Sequence, residues 1–208
     1  MSEWKPTTPP FVEFKKKTLQ QTAEVSEFIY QIGESNLLRT PSVDVSLEAI
    51  TGSVCKAKIA YVKSCLLRYR EITGYGRGIT AVQVGIPDRF SVIFNTEKEI
   101  LTIINPTVVK VSDRNLVYPE MCMSAAPIIA PTIRPSWIEF DYYDENGTLN
   151  HWRTKDDSKM GLMMNRVFQH EIDHMDGVVN VDRVKDPRLL ILESDPSFYD
   201  KAKFEEVK

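Results

Sequence analysis

No run of apolar residues in this sequence approaches the ~20 needed to cross a bilayer, which excludes a spanning helix. Basic charge is not in excess either. The 26 Lys+Arg face 29 Asp+Glu for a net charge of −3, so there is no electrostatic footprint for nucleic acid or an anionic membrane. Cysteine is scarce: Cys55, Cys65 and Cys122 are too few, and odd in number, for a disulfide framework, and they suit a reducing compartment. The N-terminus has no apolar signal-like stretch. Its mixture of Glu3, Lys5, Glu13 and Lys15 to Lys17 fits neither a secretory leader nor an acid-poor transit peptide. A cytoplasmic protein without a membrane partner is expected, and no internal repeat is visible.

The chain does have enough apolar side chain for a core, 42% over 208 residues, the size of one substantial domain. Residues 1–35 read as an N-terminal extension. A proline- and lysine-bearing arm comes first, then a short helix over about 18–34 whose Val25, Phe28, Ile29 and Ile32 recur at helical spacing, with Gly33 as its stop. A long helix begins at Ser46 and carries Ile59, Val62, Leu66 and Tyr69 as a buried stripe, with Cys55 and Cys65 as small core residues. Strands are expected over 89–94 and 101–111, with a bend or bulge at Asn105-Pro106. Asn146-Gly147 turns a hairpin between 137–143 and 148–153. Val178 to Val184 reads as a short strand, and 187–208 as a charged tail behind a domain spanning 36–186.

The most informative stretch is Gln169-His170-Glu171-Ile172-Asp173-His174, on a helix from about Ser158 to Met175 closed by Gly177. Two histidines four apart lie roughly 40° apart around a helix, so both can reach one metal ion. They share an arc with Met163, Met164, Val167, Phe168, Ile172 and Met175, whereas Asn165, Arg166, Gln169, Asp173 and Asp176 take the other. Glu171 therefore faces the core, where an unpaired carboxylate would cost several kcal/mol. A metal and its water would be its partner.

A catalytic divalent ion usually takes three protein ligands. The third could be His151, on an expected exposed strand, or Cys122, which is better placed in an irregular segment after a strand. Upstream, Gly74, Gly76 and Gly78 break the long helix without the Lys-Ser/Thr of a phosphate loop. A tight passage delivering the two amide donors of Gln83 into a site fits better.

Three segments, in order, resemble the motifs of the peptide deformylase family. They are Gly76-Arg77-Gly78-Ile79-Thr80-Ala81-Val82-Gln83, Glu120-Met121-Cys122-Met123-Ser124 and Gln169-His170-Glu171-Ile172-Asp173-His174, within a resemblance running from about Leu37 to Val184. It implies an α+β fold of mixed or antiparallel sheets around a central HExxH helix. It further implies Cys122, His170 and His174 as ligands of one divalent ion, Fe²⁺ in the cell, with Zn²⁺, Ni²⁺ or Co²⁺ as alternatives.

The activity implied is removal of the N-formyl group from N-formylmethionyl peptides or nascent chains, at the ribosome, by metal-activated water. Glu171 would be general base and acid. Gln83 and the backbone N–H of Met123 would donate to the formyl oxygen. Gly78, Met121, Ile129 and Val167 would line the substrate groove. The match departs at Met121, where the family has Gly, and at Ile129, where many relatives have Arg. Arg134 does match a family arginine and is expected to pair with Glu120 or Asp173. These departures leave room for a metal-dependent amidase or peptidase of altered specificity, or a non-catalytic peptide-binding relative.

Overall fold

The computed structural model describes residues 8–95 and 99–207; the first residues of the expected arm, including Pro6, lie outside the described residues. Helices α1 (Val12–Val25), α2 (Leu47–Ile50) and α3 (Ser53–Thr73) come first. Seven strands follow: β1 (Gly78–Thr80), β2 (Phe90–Phe94), β3 (Ile100–Val111), β4 (Asn115–Met121), β5 (Ile128–Pro135), β6 (Ile138–Tyr143) and β7 (Leu149–Trp152). Helix α4 (Lys159–Met175), strand β8 (Ile191–Leu192), helix α5 (Phe198–Lys201) and strand β9 (Glu205–Glu206) complete the chain. One antiparallel sheet runs β1-β2-β3-β6-β7 and a second runs β8-β5-β4-β9.

The first sheet is covered on both faces, and the alternation of side chains along its strands divides the core. Phe90, Val92, Phe94 and Ile104 join Ile59, Val62, Leu66 and Tyr69 of α3. Their neighbours Ile93 and Ile103 point the other way, joining Phe140, Met164, Phe168, Ile172 and Met175 under α4. That two-sided cover is why β2 is buried at every position.

Helix α4 lies between the two sheets, so the arc read as solvent-facing is buried as well: Asn165, Arg166, Gln169 and Asp173 are all inside. The second sheet supplies partners for Arg166, Gln169 and Asp173, and Asn165 accepts the Ile138 N–H of the first sheet at 3.2 Å. Arg166 donates to the Leu116 carbonyl at 2.7 Å, and Gln169 to that of Pro135 at 2.9 Å. Polar side chains on that arc meet backbone oxygens and carboxylates rather than water.

Several elements differ from expectation for physical reasons. The helix expected over 18–34 ends at Val25. Beyond it, the N–H of Tyr30 bonds the Gln83 carbonyl and that of Ile32 the Ser124 carbonyl, both at 2.8 Å, so the segment stitches two site loops instead of coiling. A break at Thr51-Gly52 divides the long helix into α2 and α3. The segment with Pro131 and Pro135, to which the sequence reading gives no element, is strand β5. Pro131 sits opposite Pro119, a pairing suited to a non-hydrogen-bonded position where neither N–H is needed.

The strand expected over 178–184 is a 3₁₀ turn, Asn180–Arg183, closed by the Asp182 carboxylate accepting the Val179 N–H at 2.8 Å. Within the charged tail beyond Pro187, β8 pairs with β5 and β9 with β4. As expected, Gly147 turns the β6–β7 hairpin at φ 76°, and a register shift between Ile104 and Thr107 marks the Asn105-Pro106 bulge.

Phe168 pins α4 to the first sheet, its ring centroid 5.0 Å from Phe140 and 4.5 Å from Trp152. Phe168→Ala is expected to cost about 3–5 kcal/mol, read as a lowered denaturation midpoint with an unchanged denaturant slope.

Candidate functional site

Helix α4 starts where the Ser158 hydroxyl accepts the Gly161 N–H at 3.1 Å and is followed by Gly177 at φ 77°. A Cβ on Gly177 would come within 2.8 Å of the Arg39 backbone, so only glycine fits the turn that ends the helix. Within these limits His170 and His174 project toward the loop after β4, and Glu171 toward β1.

There the structure brings Cys122 to the two histidines. The Cys122 Sγ lies 3.1 Å from His174 Nε2, and one donor atom from each of Cys122, His170 and His174 falls within 4.8 Å of the others. His151, the other candidate, is exposed on β7 and pairs with Asp141 at 2.8 Å.

The chemistry of the trio fits a divalent ion. One sulfur and two ring nitrogens converge from buried positions, the donor set borderline-soft divalent metals accept. His174 is fully buried, and burial holds its pKa well below the usual histidine range, so the ring is neutral, as a ligand must be. His170 faces the Glu120 carboxylate through Nδ1 at 3.1 Å, which leaves Nε2 for the site.

Glu120 is itself held. Burial alone would raise its pKa, but Arg134, His170 and Arg166 keep it well below the usual carboxylate range. Arg134 forks onto Glu120 with bonds of 2.7 and 3.0 Å and reaches Asp173 at 2.7 Å, so it pairs with both expected partners. Arg166 pairs with Glu120, and Arg183 with Asp173. The role of Arg166 was missed; its one signal is its position a helical turn before His170.

Beside the trio, burial pushes the Glu171 carboxyl above its ordinary range, and the Thr80 hydroxyl donates to it at 2.7 Å. Gly78 passes so close that an added Cβ would sit 2.6 Å from Glu171 Oε1. Gln83 is oriented by its own loop. Its Oε1 accepts the Thr80 N–H at 2.8 Å, which turns Nε2 toward Ser124 Oγ at 3.0 Å and Cys122 Sγ at 3.9 Å.

A groove of about 420 Å³ opens onto this cluster, lined by Gly78, Met121, Met123, Val167, His170 and Glu171 among others. Ile129 does not line it. That side chain is 1% exposed, and its strand lies between Met121 of β4 and Ile191 of β8, so the expectation of a groove position is corrected. Tyr75, Glu193 and Tyr199, which no motif marked, do line it.

The polypeptide deformylase family model matches residues 27–189. The chain belongs to this family. A peptide deformylase of Prochlorococcus marinus (strain NATL1A) is 36% identical over 76% of this chain and 73% of its own length. A chloroplastic peptide deformylase 1B of Oryza sativa subsp. japonica is 37% identical over 57% of this chain; only 42% of that protein, less than two thirds, is covered. The crystal structure of the Thermotoga maritima peptide deformylase superposes with a TM-score of 0.65 at 26% identity, covering 76% of this chain and 97% of that one. The family is metal-dependent, and the Cys122, His170 and His174 cluster could bind the ion. The expected α+β class with antiparallel sheets is the family's fold.

Arg134→Ala would leave Glu120 and Asp173 buried without their shared cation. A stability loss of about 3–5 kcal/mol and faster metal loss to a chelator are expected, read by chemical denaturation and metal analysis.

The pH dependence has a definite sign. A glutamate titrates near about 4.3 when unfolded, and Glu120 lower when folded. Its contribution to stability is therefore present above about pH 4.3 and lost as pH falls through the depressed folded value. Against wild type, Glu120→Gln should be less stable at neutral pH and lose less stability on acidification, followed by circular dichroism.

Proposed function

We propose that this protein hydrolyses the formyl-methionyl amide at the N-terminus of peptides and nascent chains, releasing formate. The single observation that carries the reading is the juxtaposition of a buried carboxylate, Glu171, with a Cys122–His170–His174 cluster at the end of a peptide-sized groove. Cys122, His170 and His174 would hold the ion, with Fe²⁺ as the cellular metal and Zn²⁺, Ni²⁺ and Co²⁺ compatible with the same donors. A divalent ion at such a site lowers the pKa of water and polarises a carbonyl.

The chain's own groups supply the rest. Glu171, its pKa raised by burial, takes the proton of the attacking water and returns it to the leaving amine. Thr80 holds that carboxylate by a 2.7 Å hydrogen bond, and Gly78 gives it room. Gln83 Nε2 and the Met123 backbone N–H donate to the formyl oxygen as charge develops there; losing one such donor typically costs ~3–4 kcal/mol of transition-state stabilisation. Val167, Met121 and Met123 offer apolar surface to the methionine side chain. The cytoplasm, at the ribosome, is the compartment assigned to this activity.

The decisive experiment purifies the protein without air, measures metal content, and assays formate release from formyl-Met peptides beside acetylated and free-amine controls. Formate from the formyl peptides alone is expected; none from a fully metallated sample would refute the reading. Glu171→Ala should keep the metal and lose at least about 100-fold in turnover, whereas Cys122→Ala should lose the metal. A tightly held ion in Cys122→Ala would mean the ligand set is wrong. Gly78→Ala should retain metal but lose turnover, because its methyl displaces Glu171.

A further inference from the structure

The family match stops at residue 189, yet residues beyond it complete the groove. Strand β8 pairs Leu192 with Ile128 and Ile191 with Ile129, and the next residue, Glu193, donates its backbone N–H to the Pro127 carbonyl at 2.8 Å. Helix α5 then carries Tyr199 over, and β9 fastens the segment to Leu116 and Val117. Glu193 and Tyr199 both line the groove.

Glu193 is linked through Tyr75 to the residue before Cys122. Met121 precedes that cysteine, its Sδ lies 3.9 Å from the Tyr75 hydroxyl, and the same hydroxyl donates to Glu193 Oε2 at 3.4 Å. The carboxylate is half-buried and, among the described residues, no lysine or arginine forms an ion pair with it. Of the other charges of the groove, Glu171 sits beside the metal-ligand cluster with the Thr80 hydroxyl, and the rest are engaged elsewhere. Glu120 is satisfied by Arg134 and Arg166, and Arg77 turns its guanidinium to the Phe94 carbonyl at 3.5 Å and Met164 Sδ at 3.9 Å. The Tyr199 hydroxyl, also buried, makes no hydrogen bond among the described residues. A carboxylate half-removed from water with only a neutral donor is electrostatically incomplete, and a cation from a bound peptide would complete it.

We infer that the segment 191–199 is a specificity element, in which Glu193 favours peptides carrying Lys or Arg one or two residues after the methionine and disfavours acidic residues there. This rests on the deformylase reading for the orientation of the substrate. Consecutive residues advance about 3.3–3.6 Å in an extended chain, so a peptide whose first residue lies at Cys122 and Met123 runs its next residues past Met121 and Glu193.

Calorimetric Kd values on the metal-loaded full chain test the inference without requiring turnover. Amidated Met-Lys-Ala and Met-Ala-Lys are compared with Met-Glu-Ala and Met-Ala-Glu at low salt. A lysine peptide should bind about fivefold more tightly than its glutamate counterpart, with the ratio shrinking as salt is raised. Glu193→Gln should bring the ratio below about twofold, and Glu193→Lys should invert it. Equal affinities in the wild type, or a lysine preference that survives Glu193→Gln, would overturn the inference. Formate release from formyl-Met-Ala-Ala, measured in parallel, reports on the reaction alone: its absence would refute the deformylase reading while the affinity ratio still decides the role of Glu193.

Discussion

Arg134 lies between Glu120 and Asp173 at a depth where neither carboxylate could remain charged alone. Much of the molecule depends on that placement. The guanidinium on β5 ties Glu120, two residues before Cys122, to Asp173 of α4, the residue before His174. Glu120, made a firm anion by this pairing, fixes the ring of His170. One cation thus joins the second sheet to α4, pairs carboxylates buried on both, and holds together segments about fifty residues apart that carry the site.

The candidate site was legible because its residue types leave a local trace. His170, Glu171 and His174 are set by helical spacing, and the strands around Val92 and Phe140 by apolar residues that keep to a pleated surface. Other parts were hidden where tertiary contacts override local pattern. The stripe through Val25 and Ile29 is helical in spacing, yet the backbone after Val25 bonds to Gln83 and Ser124 instead. Prolines disguised β5 because their positions in a ladder are harmless only when the register is known. The arc of Arg166, Gln169 and Asp173 reads as solvent-facing on a wheel, which cannot represent a second sheet. Ile129 was assigned to the groove by correspondence of position; the neighbouring strand β8 encloses it.

Around the reacting centre, charge is organised by depth. The innermost groups are balanced within the protein, Glu120 and Asp173 against three arginines. Glu171 has no ion-pair partner among the described residues; burial raises its pKa and the Thr80 hydroxyl donates to it. The rest of the groove wall is largely apolar and aromatic, with buried Tyr69 edge to face against Tyr75 and the Glu193 carboxylate beside Tyr75.

The pairing of β9 with β4 also bears on how the molecule is made. Strand β4, which delivers Cys122, finds one of its two neighbours in β5, a short hairpin away, but the other only at Glu205 and Glu206. Closing so long a loop costs entropy before any contact repays it. Helix α4 and the first sheet take no part in that edge, so the second sheet is closed there by a contact of high sequence separation that the centre does not itself supply.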